Sequence, residues 1–210
     1  MRAYQIPFFL PFLYPNRLWS VLGSERKISL TFDDGPVPGI TDWVLEELEK
    51  RGMKATFFMV GDNVRKHPAL AQSVLAAGHQ LGNHTYHHLS GWKSSTQTYL
   101  NDVASCDAIL ADTVGETPRF FRPPYGWMSP GQAKGLALSK KIVMWNLLSY
   151  DFDPDLSSAI LIRECTSRTA PGTIVVFHDQ QKTKSQLMRV LPHYLDFLVR
   201  EGFTTQLLEG

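Results

Sequence analysis

Residues 27–36 read KISLTFDDGP, and the rest of the chain is organised around this stretch. Apolar and polar residues alternate over 27–32, which is the period of a β-strand with one apolar face. Two carboxylates, Asp33 and Asp34, end that strand, and the Gly-Pro pair at 35–36 is a turn signal. Successive residues of a strand point in different directions, so the two carboxylates can have different functions. Because adjacent anions repel each other, the pair also favours a nearby cation.

The composition is that of one ordinary globular domain. The chain has 210 residues, of which 43% are hydrophobic and 20% are charged. Its net charge of +1 gives no case for nucleic acid or an anionic membrane as the main partner, and we expect a monomer. Cys106 and Cys165 share no metal or redox spacing, so we expect two separate reduced thiols rather than a disulfide.

The first 24 residues differ in pattern from the rest of the chain. Pro7, Pro11 and Pro15 divide their apolar stretches, which fall far short of the ~20 residues that a membrane helix needs. The order of segments is not that of a signal peptide, so the cytoplasm is the default location and the cell envelope the alternative. We expect residues 1–24 to form an arm packed on a catalytic domain at 25–210, with a peripheral membrane or partner contact as the less favoured alternative.

Strand and helix patterns alternate along the rest of the chain. Strands are predicted at 27–32, 55–60, 79–83, 119–122, 141–148, 172–177 and 203–207, with helical patterns between most of them. Several of these strands are almost continuously apolar. This alternation favours an α/β fold with a parallel sheet covered by helices, either open or closed into a barrel.

Reactive side chains occur where the predicted strands end. In a parallel α/β sheet the carboxyl ends of the strands share one rim, where active sites lie. The residues at these positions are Asp33, Asp34, His84, His88, Arg122, Tyr125, Asp151, His178 and Asp179. The sequence therefore predicts one active site, although Asp179 alone is more typical of a turn or cap residue.

His84 and His88 have the spacing of a shared metal site. Four residues apart, they would lie on one face of a helical turn. With Asp34 they would make a set of two histidines and one carboxylate, which leaves positions open for water and substrate. His87 is an alternative ligand, because it is three residues from His84.

The order of these motifs resembles that of a known family. TFDDG at 31–35, HTxxH at 84–88, RPPY at 122–125, Asp151 and FH at 177–178 resemble the motifs of the polysaccharide deacetylases, the NodB-homology enzymes of carbohydrate esterase family 4. The resemblance covers about residues 27–207. It implies a distorted (β/α) barrel of about seven parallel strands with an outer ring of helices. It also implies metal-dependent removal of N-acetyl groups from sugar polymers or oligosaccharides.

The resemblance assigns the first motifs to a metal and a base. Asp34, His84 and His88 would hold a divalent ion, most often Zn²⁺ in this family, with Co²⁺, Ni²⁺ or Mn²⁺ as alternatives. Asp33 would be the general base, and Arg122 would orient it.

It assigns the later motifs to the acyl group and the leaving group. The backbone N–H of Tyr125 would stabilise the oxyanion, and His178 would be the general acid, with Asp151 favouring its protonated form. Phe152 stands where the family usually has Trp, and Val176 where it usually has Leu. These two residues and Tyr125 would contact the substrate, and the two differences affect the acyl preference more than the reaction type.

Two other functions remain open from the sequence. The chain could hydrolyse O-acetyl esters or a non-sugar linear amide, and Leu148, where many family members carry an acid, also bears on the acyl preference. It could also be a carbohydrate-binding protein that has lost its chemistry. Tyr86, Trp92 and Trp127 lie in loops after strands, where aromatic residues stack on sugars, although ordinary packing is equally expected for each.

Overall fold

A parallel sheet forms the centre of the protein, as the sequence predicts. The structure is a computed structural model, and it describes residues 4–21, 23 and 25–209. The strands are β1 (Lys27–Asp33), β2 (Ala55–Met59), β3 (Gln80–Asn83), β4 (Phe120–Phe121), β5 (Lys141–Ile142), β6 (Leu147–Leu148), β7 (Ile174–His178) and β8 (Thr204–Thr205). Their order is β5-β4-β3-β2-β1-β7-β6, with β8 beside β1. The seven strands of the main path form a half-barrel, which confirms the distorted (β/α) barrel.

Helices surround this sheet. Within the described residues they are α1 (Leu10–Leu13), α2 (Thr41–Glu49), α3 (Gly61–Lys66), α4 (Pro68–Ala76), α5 (Thr96–Val114), α6 (Pro130–Leu136), α7 (Ser158–Arg168) and α8 (Lys184–Arg200). The longest, α5, begins at Ser95, whose side chain accepts a hydrogen bond from the Thr98 backbone N–H, and ends at Gly115 in the left-handed region. None of these helices is long and apolar enough to cross a membrane.

The centre of the sheet is packed with aromatic side chains. The ring of Phe32 on β1 stacks on Phe57 of β2 at 5.0 Å and on Phe177 of β7 at 6.1 Å. Each such ring contributes about 1.5–3 kcal/mol by leaving water. At Gly82 an added Cβ would lie 2.4 Å from the Phe58 ring, so β3 can approach β2 only with glycine there. This packing fixes the carboxyl end of β1, where Asp33 and Asp34 follow.

The prediction of one strand over residues 141–148 is wrong. β5 pairs with β4, whereas β6 pairs with β7 at the opposite end of the sheet. Between them the chain leaves the regular ladder, and the side chain of Asn146 accepts a hydrogen bond at 2.8 Å from the backbone N–H of Ile174. The two end strands therefore do not pair with each other, and the sheet alone leaves the barrel open.

The N-terminal segment lies across this opening. Gln5 forms an antiparallel bridge with Leu147, and Leu18 forms a parallel bridge with Val143. Tyr4, Trp19 and Val21 are buried. The expected arm of residues 1–24 falls partly outside the described residues, which omit positions 1–3, 22 and 24, so its boundary with a domain at 25–210 remains a prediction.

Candidate active site

A cavity of about 310 Å³ opens at the carboxyl-end rim of the sheet. All the side chains that the sequence predicts to be functional line it or contact its lining. The lining residues are Asp33, Asp34, His84, His88, Pro123, Tyr125, Gly126, Trp145, Leu148, Phe152, Val176, His178, Gln180 and Lys182. The structure therefore brings the residues of five separate strand ends together.

The two carboxylates that follow β1 face different partners. Asp33 ends the strand, and its Oδ1 accepts a hydrogen bond at 2.7 Å from Nη1 of Arg122. Asp34 has φ +82°, in the left-handed region, and its carbonyl accepts a hydrogen bond at 2.8 Å from the side chain of Asn63. This turn of the backbone directs its carboxylate towards the two histidines. The pair is thus divided, as the sequence suggests.

His84 and His88 approach the same oxygen of Asp34. Oδ1 of Asp34 lies 3.0 Å from Nε2 of His88 and 3.5 Å from Nε2 of His84. The expectation that the histidines share a helical turn is wrong, because Thr85 and His88 both have positive φ, at 64° and 55°. A compact loop brings the imidazoles together instead.

Asp102 on α5 holds this loop. Its Oδ2 accepts hydrogen bonds from the backbone N–H groups of Tyr86 and His87, at 2.8 and 3.0 Å. Its Oδ1 lies 2.6 Å from Nδ1 of His87, whose side chain is mostly exposed. His87 therefore faces away from Asp34, and among the described residues the structure groups His84 and His88 with that carboxylate.

The Asp34–His84–His88 cluster has the chemistry of a cation site. Its three ligand atoms lie within 4.8 Å of one another. Nδ1 of His84 lies 2.8 Å from the carbonyl oxygen of Arg122, so it carries the proton and leaves Nε2 free to bind an ion. Oδ1 of Asp34 is buried and accepts no hydrogen bond, which is costly unless a cation lies nearby.

Arg122 is completely buried beside Asp33. Nη1 donates to Thr31 Oγ1 as well as to Asp33, both at 2.7 Å, and Nη2 donates to the carbonyl oxygen of Met144 at 2.8 Å. The guanidinium also lies 4.2 Å from the centre of the Phe58 ring. These contacts fix the orientation of the guanidinium, which in turn fixes the carboxylate of Asp33.

Asp151 holds His178 at the other side of the cavity. The backbone N–H of His178 donates to Oδ2 of Asp151 at 2.8 Å, and Nδ1 donates to Oδ1 at 2.7 Å. Burial would lower the pKa of His178, but the charge and hydrogen bond of Asp151 outweigh it, and the pKa rises to about 9. The imidazole is therefore protonated at neutral pH, with Nε2 as its free donor. The ring of Phe152 meets it edge-on at 5.2 Å.

Tyr125 lies on the open side of the cavity. It has φ +61° within a 3₁₀ turn at Pro124–Gly126, and its exposed ring packs against His88 at a centroid distance of 4.8 Å. Val176 on β7 is buried in the floor, and Phe152 is half-exposed at the edge. Tyr125, Phe152 and Val176 all line the cavity.

A family model described as "Polysaccharide deacetylase" matches residues 21–137. This chain belongs to the polysaccharide deacetylase family. It is accordingly a hydrolase of the polysaccharide deacetylase type.

Similar proteins extend this result beyond the matched segment. A peptidoglycan-N-acetylglucosamine deacetylase of Bacillus cereus is 33% identical over 189 residues, covering 88% of this chain and 87% of the relative. The peptidoglycan-N-acetylglucosamine deacetylase PgdA of Listeria monocytogenes is 34% identical over 160 residues, covering 76% of this chain but only 34% of that protein. The crystal structure of the Bc1960 peptidoglycan N-acetylglucosamine deacetylase matches with a TM-score of 0.89 at 27% identity, covering 97% of this chain and 95% of that one.

Sequence reasoning did not single out Gln180, which lines this polysaccharide deacetylase site, and it gave Asp179 only a turn or cap role. The side chain of Gln180 donates a hydrogen bond to Oδ2 of Asp34. Asp179, expected in a turn, is fully buried and accepts hydrogen bonds from the backbone N–H of Gly35 and the hydroxyl of Thr41. Burial raises the pKa of Asp179 to about 8. The only signal in the sequence is their position directly after His178, at the end of β7.

A second cavity of about 870 Å³ continues the polysaccharide deacetylase site outward. His88 and Tyr125 line both cavities, so the two cavities are adjacent. Trp92 and Trp127 line the outer one, are mostly exposed and meet edge to face at 5.5 Å. Tyr86 instead packs against Gly61, where an added Cβ would lie 2.6 Å from its ring.

Proposed function

We propose that this chain is a metal-dependent deacetylase that hydrolyses N-acetyl groups on a sugar polymer or oligosaccharide. The observation that supports this most is the division of the two consecutive carboxylates. Asp33 is oriented by Arg122, whereas a buried oxygen of Asp34 faces His84 and His88. Hydrolysis of an amide needs these two functions side by side, because one carboxylate must accept a proton while the other holds the cation.

The donor set fits a divalent transition ion. Two neutral imidazole nitrogens and one carboxylate oxygen suit Zn²⁺ best, and Co²⁺, Ni²⁺ or Mn²⁺ accept the same donors. An ion held by Asp34, His84 and His88 would act as a Lewis acid, lowering the pKa of water from about 15.7 toward ~7 and polarising the acetyl carbonyl. Gln180 would hold the second oxygen of Asp34 in place.

Asp33 would be the general base. Its carboxylate lines the cavity, and the hydrogen bond from Arg122 leaves its second oxygen available to take a proton from the attacking water. The backbone N–H of Tyr125 would donate to the oxyanion that forms at the acetyl carbonyl.

His178 would be the general acid. Because Asp151 occupies Nδ1, the proton on Nε2 is the one that can pass to the leaving amine. Base and acid thus come from two neighbouring strands, β1 and β7, whose pairing places Asp33 opposite His178.

The sugar would extend over the outer cavity. Phe152 and Val176 would contact the acetyl group, and the exposed rings of Trp92 and Trp127 would stack on neighbouring sugar units. The relatives are named for peptidoglycan, so we propose an acetylated glucosamine polymer of the cell envelope as the substrate. The cytoplasmic location expected by default gains no support from these relatives.

The test is acetate release from N-acetylglucosamine oligomers and peptidoglycan fragments. We expect release that a chelator abolishes and added Zn²⁺ restores. Release from O-acetylated xylan but not from any N-acetylated sugar would favour the esterase. Sugar binding without turnover, unchanged in Asp33→Asn, would favour a silent binding protein instead.

A further inference from the structure

The N-terminal segment is attached to the barrel at both of its ends. At one end the backbone N–H of Leu148 donates to the carbonyl oxygen of Tyr4 at 2.8 Å. At the other end the backbone N–H of Met144 donates to the carbonyl oxygen of Leu18 at 2.7 Å. Between these anchors lie residues 7–14, here called the arm tip, which include the short helix α1; no residue of α1 is fully buried.

The arm tip presents large apolar side chains to solvent. Phe8 is 84% exposed, Phe12 is 79% exposed and Leu13 is 64% exposed. Phe9 is also exposed, and its ring meets that of Phe8 edge to face at 5.9 Å. The anchors hold the segment without these side chains, so burial in the fold does not account for their apolar character.

The inward side of the segment is already used for packing. Ile6, Pro7 and Leu10 line a cavity of about 790 Å³ that borders the active site and shares Tyr125 and Trp145 with it. Phe8 and Phe12 are not among the residues of that cavity wall. The segment is therefore apolar on both sides, one facing the protein and the other facing outward.

Positive charge accompanies this outward surface. No acidic residue occurs in the first 24 positions, whereas Arg17 follows the tip. Leu13 and Arg17 line one surface groove with Lys134, Lys140 and Lys141. Lys140 pairs with Asp107 at 2.6 Å, but Lys134 and Lys141 form no ion pair within the part of the chain that the structure describes.

We propose that the arm tip inserts into the interfacial region of an anionic lipid bilayer. Exposed phenylalanines beside cations and without acids are the combination that binds such an interface, the rings entering the headgroup boundary while the cations contact anionic headgroups. The chain's net charge of +1 does not oppose this, because the attraction acts locally, within a Debye length of the surface. Since the same segment borders the active site, binding would hold the mouth of the cavity near the membrane.

The test is co-sedimentation of the full chain with vesicles, in the absence of any sugar. We expect binding to vesicles of phosphatidylglycerol and phosphatidylcholine in equal parts, and much weaker binding to phosphatidylcholine alone. The double variant Phe8→Ser/Phe12→Ser should lower the partition coefficient at least about tenfold, because two rings no longer leave water. Raising the salt from about 0.05 to 0.5 M should weaken the binding of the unaltered chain.

The matched control is Val199→Ser, which removes an exposed apolar side chain from α8. It should leave the partition coefficient unchanged, and both variants should keep the circular dichroism spectrum and acetate release from soluble oligomers. Absence of binding to the vesicles that contain phosphatidylglycerol would overturn the proposal. Binding of the double variant as strong as that of the unaltered chain would also overturn it. A dimer in light scattering that the double variant dissociates, without vesicle binding, would assign the surface to a second copy of the chain.

Discussion

Nη1 of Arg122 lies 2.7 Å from Oδ1 of Asp33, and both side chains are buried. The adjacent carboxylate, Asp34, makes no such contact and faces two imidazoles. One buried guanidinium therefore distinguishes two consecutive residues of the same type, and substitutions at the two positions should have different effects.

Asp33→Asn should abolish turnover and leave the metal bound. An amide has no basic oxygen for the attacking water, and loss of a general base typically costs about 10²–10⁴-fold in kcat. Asp34→Asn should instead lower the metal content, because a charged ligand is removed. Acetate release and metal analysis of the two variants are the measurements, and metal loss in Asp33→Asn alone would mean that the two roles are reversed.

Arg122→Met should destabilise the fold by about 3–5 kcal/mol, since it leaves the carboxylate of Asp33 buried without its cation. Urea unfolding measures this change. The control is Arg163→Met, which breaks an ion pair with Glu164 from a mostly exposed side chain and should cost less than about 1 kcal/mol. Equal losses in the two variants would contradict the role of the buried contact.

Asp151→Asn should move the alkaline limb of the pH–rate profile to lower pH. The pKa of His178 is raised to about 9, mainly by Asp151, so the general acid is protonated below that pH and loses its proton above it. A bound cation would move the alkaline limb to lower pH in both the unaltered protein and Asp151→Asn. It would not remove the difference between the two proteins. An unchanged limb would exclude His178 as the acid.

The same shift affects stability. The folded pKa of His178 lies above its ordinary value of 6.5, so this contribution to the free energy of unfolding is fully present below about pH 6.5 and is lost as the pH rises through about 9. The loss should be smaller in Asp151→Asn. Urea unfolding of the metal-free proteins between pH 6 and 10 measures it.

His88→Ala should lose the metal, whereas His87→Ala should retain it. The first removes an imidazole 3.0 Å from Asp34, and the second removes one that contacts Asp102 and is directed away from the cluster. Metal titration of the two variants makes the comparison. His87→Ala is the control, because it is the same substitution at the adjacent position. If only His87→Ala lost affinity for the metal, His87 and not His88 would be the ligand.

Trp92→Ala should raise KM for long acetylated oligomers while changing kcat little. The exposed ring lies in the outer cavity, beyond the proposed catalytic residues, so it would contribute binding that is equal in ground and transition states. Steady-state kinetics on oligomers of increasing length measures this effect. The control is Phe12→Ala, which removes another mostly exposed aromatic side chain that lines neither cavity. It should not alter KM for these soluble substrates.

The central strands and the convergence of the motifs were predictable, because periodicity and strand-end position act locally along the sequence. The division of 141–148 was not, since its apolar residues suggest one strand, whereas Met144 bonds to Leu18 and Asn146 bonds to Ile174 through both its backbone and its side chain. The role of Asp102 was equally hidden. It lies on α5, 15 residues after His87, and this spacing matches no local motif.

The bridges of Gln5 and Leu18 give the N-terminal segment a protective role. β5 and β6 are the ends of the sheet, and strands in that position expose backbone donors and acceptors that can pair with another molecule. The segment occupies part of both edges, so it guards the protein against aggregation through them. A fragment beginning at residue 21, where the family match begins, would expose these edges even though it retains every proposed catalytic residue.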